Sequence, residues 1–228
     1  VLLLYAALVV LGLSLAAALS RLFFLATCTF LASAVLYNVR PFRTKERVYL
    51  DVLSEALNNP IRLTLGWAMV TPATLPPSSL LIAYWMSGAF LMAIKRFAEY
   101  RTVAETAGLE RLGLYRASFR AYTENTLLIS TFVYAQMAAF FLAVFLIKYR
   151  IEYLLSLPFF AALFASYLRV GLKKGSTAQT PEKLFNETAL MGIFVLLAVV
   201  LALLTWIDLP WLAKLADPHY IHLPWAVE

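Results

Sequence analysis

Apolar runs about as long as a bilayer is thick recur from one end of this chain to the other, and no other feature restricts its fold as much. A membrane-spanning helix needs roughly 20 mostly apolar residues. Seven stretches of the 228-residue chain come close, at about 1–19, 22–37, 50–71, 78–95, 126–147, 152–171 and 188–207. Charged residues make up 14% of the chain, against about 25% in ordinary soluble domains, while 62% is hydrophobic. One water-soluble core of this size could not hide that much apolar surface. Cys28 is the only cysteine, which excludes a disulfide scaffold, and the aromatic content excludes a disordered tail. The net charge of +6 comes with no nucleic-acid motif, so no nucleic-acid partner is expected. The expected fold class is all-α, a polytopic transmembrane helix bundle forming a single domain over residues 1–228. The chain opens on Val1, not Met, inside an apolar run, so N-terminal helices are expected upstream.

The connections are unequal. Ser20 and Arg21 join the first two runs in a tight hairpin, and the uncharged, Pro-rich stretch 71–79 cannot continue a helix. Two loops, 38–49 and 96–125, are far richer in charge. If the seven runs alternate across the membrane, fourteen of the nineteen Lys and Arg fall on one side, four on the other, and Arg62 lies within a span. The positive-inside rule places the basic side in the cytoplasm, as in a bacterial inner membrane, where it also suits anionic lipid.

The third run is the least lipid-like. It holds Asp51, Glu55, Asn58, Asn59 and Arg62 at spacings that share one helical face, with Pro60 among them. Charges at membrane depth cost several kcal/mol unless they line a protein interior or a wet cavity. The face therefore reads either as a structural polar network or, preferably, as a cavity wall for a polar ligand. Just before it, Arg40, Arg43 and Lys45 follow Tyr37 at a helix mouth, as a solvated basic loop or as a phosphate site suited to bidentate Arg contacts. After the fourth run come Lys95, Arg96, Glu99, Arg101 and Glu105. Lys95 and Glu99 are four apart and could form a plain surface pair. The carboxylates there could instead hold Mg²⁺ shared with substrate phosphates. His219 and His222 beside Asp217 make a weak metal motif in a Pro-rich tail that also holds Trp211 and Trp225.

The stretch from Tyr37 through Pro41 and Arg43 to Lys45 after one span, with a charged motif after the span two later, resembles the UbiA superfamily of intramembrane prenyltransferases. Ala93-Ile94-Lys95-Arg96-Phe97-Ala98-Glu99 is similar to the Gly-Lys-Arg-x-x-Glu motif of its decaprenyl-phosphate phosphoribosyltransferase branch. The run Arg116 to Thr123 resembles a stretch that follows it there, and Asp51-Val52 and Arg62 fit the same branch. The resemblance implies that the seven runs are the last seven of a nine-helix fold, and that a first aspartate motif lies upstream of Val1. It also implies a Mg²⁺-dependent transferase. The donor would be an isoprenoid diphosphate, or phosphoribosyl diphosphate passing its fragment to a polyprenyl phosphate lipid. Glu99 and Glu105 would be the catalytic metal contacts. Lys95, Arg96, Arg40, Arg43 and Lys45 would hold phosphates, and Tyr37, Asp51, Asn58, Asn59 and Arg62 would line the cavity.

Two other classes fit less well. A non-catalytic accessory subunit of a membrane complex would keep the fold without the chemistry, consistent with the altered second motif. A transporter would explain polar residues at mid-membrane but not the one-sided basic loops.

Overall fold

The longest helix, Ser78–Ala107, buries a series of small residues, including Ala83, Gly88, Ala89, Ala93 and Ala98, and the other helices approach it there. Small side chains let helix backbones come close, which is how helices gain dispersion contacts in an apolar medium. A computed structural model describes residues 2–212, whose regular structure is entirely helical. The helices are α1 (Leu2–Leu19), α2 (Arg21–Asn38), α3 (Leu50–Ala56), α4 (Asn58–Val70) and α5 (Ser78–Ala107). They continue as α6 (Leu112–Tyr115), α7 (Glu124–Tyr149), α8 (Leu157–Leu172) and α9 (Thr188–Trp206), with short 3-10 turns between several of them. The tail residues Asp217, His219, His222 and Trp225 lie outside the described residues.

Five segments are long and apolar enough to cross a membrane: α2, α5, α7, Ile151–Leu172 (which contains α8) and α9. The other two expected spans take other forms. α1 is an apolar helix, described in its side chains over Leu3–Leu19. The run 50–71 divides at Leu57 into α3 and α4. Pro60 has no N–H to bond the carbonyl of Ala56, and the next bond across the joint, Ile61 N to Leu57 O, is stretched to 3.4 Å. The fourth run exceeds its expected end at 95 and stays helical to Ala107. The Arg96–Glu99 and Arg101–Glu105 pairs, at i,i+3 and i,i+4, support that extension.

Local signals set several helix ends. Ser20 accepts from Phe23 N to cap α2, and Thr123 and Thr126 form a reciprocal capping box on α7. α7 then lays Leu127, Thr131, Tyr134 and Ala138 along one face, packed on α5. One core cluster joins α3, α5, α7 and α8 through Val52, Phe90, Ile94, Tyr134 and Val170. At Gly171 a Cβ would stand 2.3 Å from Ile94 Cγ2, so only glycine permits this contact of α8 with α5. α9 buries just Leu190, Leu197 and Leu204, a single seam, and leaves Phe194, Val195, Leu196, Val199 and Leu203 exposed. Apolar faces this continuous far exceed what a water-soluble surface tolerates, and they fit a membrane-spanning protein.

Candidate functional site: a buried carboxylate–arginine network

Charged and polar side chains from four parts of the chain meet where α2 ends and α7 begins. α3 turns Asp51 and Glu55, one helical turn apart, toward α5. α5 answers with Arg96 and Glu99. The last turn of α2 brings Tyr37, and the 3-10 turn Ala117–Arg120 brings Ser118, flanked by Arg116 and Tyr122. A second cluster of buried residues, Phe97, Tyr100, Leu112, Phe119, Tyr122 and Leu127, supports that turn from below.

Asp51 is fully buried. Its Oδ1 accepts from Tyr122 OH at 2.8 Å, and its Oδ2 accepts from Ser118 Oγ at 3.0 Å and Arg116 Nε at 3.2 Å. Tyr122 OH in turn accepts from Tyr49 N at 2.7 Å. Burial, and then the Asp51 carboxylate, pushes the Tyr122 hydroxyl well above its ordinary pKa, so it stays a proton donor to Asp51. A buried carboxylate costs little only when paired and hydrogen-bonded, and Asp51 has both kinds of partner.

Arg96 is the hub. Its side chain is 4% exposed; Nη1 donates to Glu99 Oε2 at 2.8 Å and Nη2 to Glu55 Oε2 at 2.5 Å. Its Nε faces Asp51 Oδ2 at 3.7 Å, beyond hydrogen-bond reach, and finds no acceptor among the described residues. Tyr37 OH donates to Glu55 Oε2 at 3.0 Å. Three carboxylates thus meet two guanidiniums, Arg96 and Arg116, for a formal charge of −1. The second oxygens of Glu55 and Glu99 take no hydrogen bond from the described residues.

The other expected site residues fall in different places. Glu105 is half-exposed, with Arg101 Nη2 at 3.8 Å. Arg101 also reaches α8 by donating to Leu172 O, whereas Glu99 pairs with Arg96. Lys95 is half-buried and makes no ion pair among the described residues, because Glu99 turns to Arg96 instead. Arg40, Arg43 and Arg47 border an open hollow of about 700 Å³; Arg43 Nε lies 3.0 Å from Glu46, and Lys45 donates to Asn38 Oδ1. This turn packs on α3 through Thr44 and Ser54, 2.8 Å apart.

The polar face of the third run divides between two neighbours. Asn58 accepts from Ser33 of α2 at 3.0 Å, and Asn59 fills the space a Cβ on Gly88 of α5 would need. Arg62 is exposed, its guanidinium 5.8 Å from the ring centre of Phe30. No group of three acidic, His or Cys side chains able to hold a metal converges among the described residues. Sequence reasoning passed over Ser118 and Tyr122 as partners of Asp51. They lie 67 and 71 residues away on a turn with no periodic pattern, and only the need of a buried carboxylate for donors could have pointed to them.

Fold and site together define a class: an all-helical protein with five segments able to cross a membrane and a buried, acid-rich ion network near one end of them. No protein-family model, curated protein or solved structure matches the chain.

Proposed function

We propose that the chain is an intramembrane transferase of the prenyltransferase type. Its donor is a diphosphate-activated molecule, an isoprenyl diphosphate or phosphoribosyl diphosphate, and its acceptor is lipid-soluble, a polyprenyl phosphate in the second case. One observation carries this reading. Glu55 and Glu99 flank Arg96, each with one oxygen that takes no hydrogen bond from the described residues, beside a turn bordered by Arg40, Arg43 and Arg47. Acid and base are thereby set close together at one mouth of the bundle. In this reading α1 and the α3–α4 pair also cross, making seven spans, and the basic loops face the cytoplasm.

Mg²⁺, which the reading requires, takes oxygen ligands and commonly shares one or two carboxylates with substrate phosphates. The oxygens of Glu55 and Glu99 that take no hydrogen bond from the described residues suit it, and Glu105, half-exposed beside Arg101, is the other expected ligand. When bound, it would supply charge neutralisation to the diphosphate. In the transfer, the bond from the donor carbon to the diphosphate oxygen breaks, its electron pair leaves with the diphosphate, and a nucleophilic atom of the acceptor supplies the electron pair of the new bond to that carbon, any proton on that atom passing to water. Arg40, Arg43 and Lys95 would offset that growing charge, which fixed cations do best where water is excluded. Arg96 acts as a positioning residue, holding both glutamates, and Tyr37 orients Glu55.

The test is donor binding to the purified protein in nanodiscs, with and without Mg²⁺, using geranylgeranyl diphosphate and phosphoribosyl diphosphate. Binding of one donor is expected only with Mg²⁺, and Glu99→Gln or Glu55→Gln should weaken it at least about tenfold, equivalent to ~1.4 kcal/mol. The accessory-subunit reading is favoured by a different observation: both Nη atoms of Arg96 and both oxygens of Asp51 are already used by the protein's own residues. No binding of either donor to folded protein decides for it.

A further inference from the structure

Arg62 stands outside the buried ion network. α4 packs between α2 and α5, both able to cross a membrane, so it lies at their depth, and Arg62 sits midway along the α3–α4 segment. Among the described residues its guanidinium meets no carboxylate and makes no hydrogen bond; only the Phe30 ring lies near it. The side chain is nevertheless exposed, on the face where Ser33 and Asn58 form a polar step between α2 and α4. Arginine at the middle of a bilayer normally faces a bundle interior or wet cavity and is paired there, because an unpaired charge costs several kcal/mol. A ring 5.8 Å away offsets only a fraction of that.

We propose that the α2–α4 face around Arg62 is a docking surface for another transmembrane helix that carries a carboxylate at mid-membrane depth. Charge complementarity selects this occupant. A second copy of the described residues is a poor one, since the carboxylates of its inner network, Asp51, Glu55 and Glu99, are held by Arg96 and Arg116 near the end of the bundle. A lipid phosphate lies at the interface, about 15 Å from the centre of a hydrocarbon core ~30 Å thick, farther than an arginine side chain extends. Arg62 would meet a carboxylate with its bidentate fork, and Asn58, half-buried one helical turn before it, would supply further polar contact to the incoming helix. The inference does not depend on the transferase reading: Arg62 and Asn58 are among the residues the resemblance would put in the cavity lining, but neither holds the donor or the metal in the chemistry proposed above.

The experiment uses the purified protein in liposomes with a fluorescent single-span Leu/Ala helix bearing one central Asp, and the same helix with Leu in place of Asp. Energy transfer should report association of the Asp helix about tenfold or more tighter than the Leu helix. Arg62→Leu should erase the preference, and Arg62→Lys should keep most of it. Among the described residues Arg62 holds no partner but the Phe30 ring, so Arg62→Leu should melt like the wild type. Equal association of both helices with the wild type overturns the proposal, as does a preference that survives in Arg62→Leu. An Arg62-dependent self-association without added helix would assign the face to a second copy, and an Arg62-dependent response to phosphatidylglycerol alone would assign it to lipid. Either result also overturns it.

Discussion

Two ion pairs of nearly equal length sit at opposite ends of the molecule and behave as different objects. At one end Arg96 Nη1 reaches Glu99 at 2.8 Å from a side chain 4% exposed, among three carboxylates. At the other, Arg150 Nη2 reaches Asp208 at 3.0 Å, but Asp208 is 83% exposed, and Arg150 also donates through Nε to Leu204 O near the end of α9 and through Nη2 to Ile207 O just beyond it. The first is a desolvated network whose members depend on one another. The second is a helix cap with a solvated ion pair attached. Distance alone does not separate them; the surrounding dielectric does, since charges at equal spacing interact far more strongly away from water.

The comparison can be broken most sharply at Arg96. Arg96→Met removes the hub and leaves buried carboxylates uncompensated, which should cost about 3–5 kcal/mol in reversible detergent unfolding. A loss below about 1 kcal/mol would mean that the network is wet and loosely held. Next in size is Tyr122→Phe, which deletes one donor to Asp51 and the acceptor of Tyr49 N, for an expected loss of about 1–3 kcal/mol. This variant also sharpens the contrast through pH. The folded protein holds the Tyr122 proton more tightly than the unfolded chain, so its contribution is complete below the ordinary tyrosine pKa of about 10 and is lost as pH rises above it. Wild-type stability should therefore fall more steeply above pH ~10 than that of Tyr122→Phe, and parallel profiles would remove Tyr122 as a cause. The smallest effect belongs to the other end. Asp208→Ala should change stability by less than about 1 kcal/mol, and even that should shrink in high salt.

The third apolar run shows how far the sequence could be read. Its periodicity placed Asp51, Glu55, Asn58, Asn59 and Arg62 on one face, and a straight helix would have kept them there. The joint at Leu57 and the presence of helices on two sides divided that face. Asp51 and Glu55 went to Arg96, Asn58 to Ser33, Asn59 against Gly88, and Arg62 outward. The i,i+4 pairing open to Lys95 and Glu99 did not form, for a related reason. Arg96, one residue on, was drawn toward the carboxylates of α3 and took Glu99 with it.

What the sequence determined by itself was local. Lengths of apolar run, scarcity of charge, the Pro-rich stretch 71–79 and the hydroxyls of Ser20 and Thr123 suffice for the five long helices and most of their ends, because helix hydrogen bonds and caps close within a few residues. Only the tertiary structure decided which charges meet. Asp51 finds Arg116, Ser118 and Tyr122 from 65 to 71 positions away, and Arg96 finds Glu55 from 41. Helical periodicity states which way a side chain points but carries no information about what stands opposite. That is settled when helices pack and each buried charge must be matched by whatever partners the packing brings within reach.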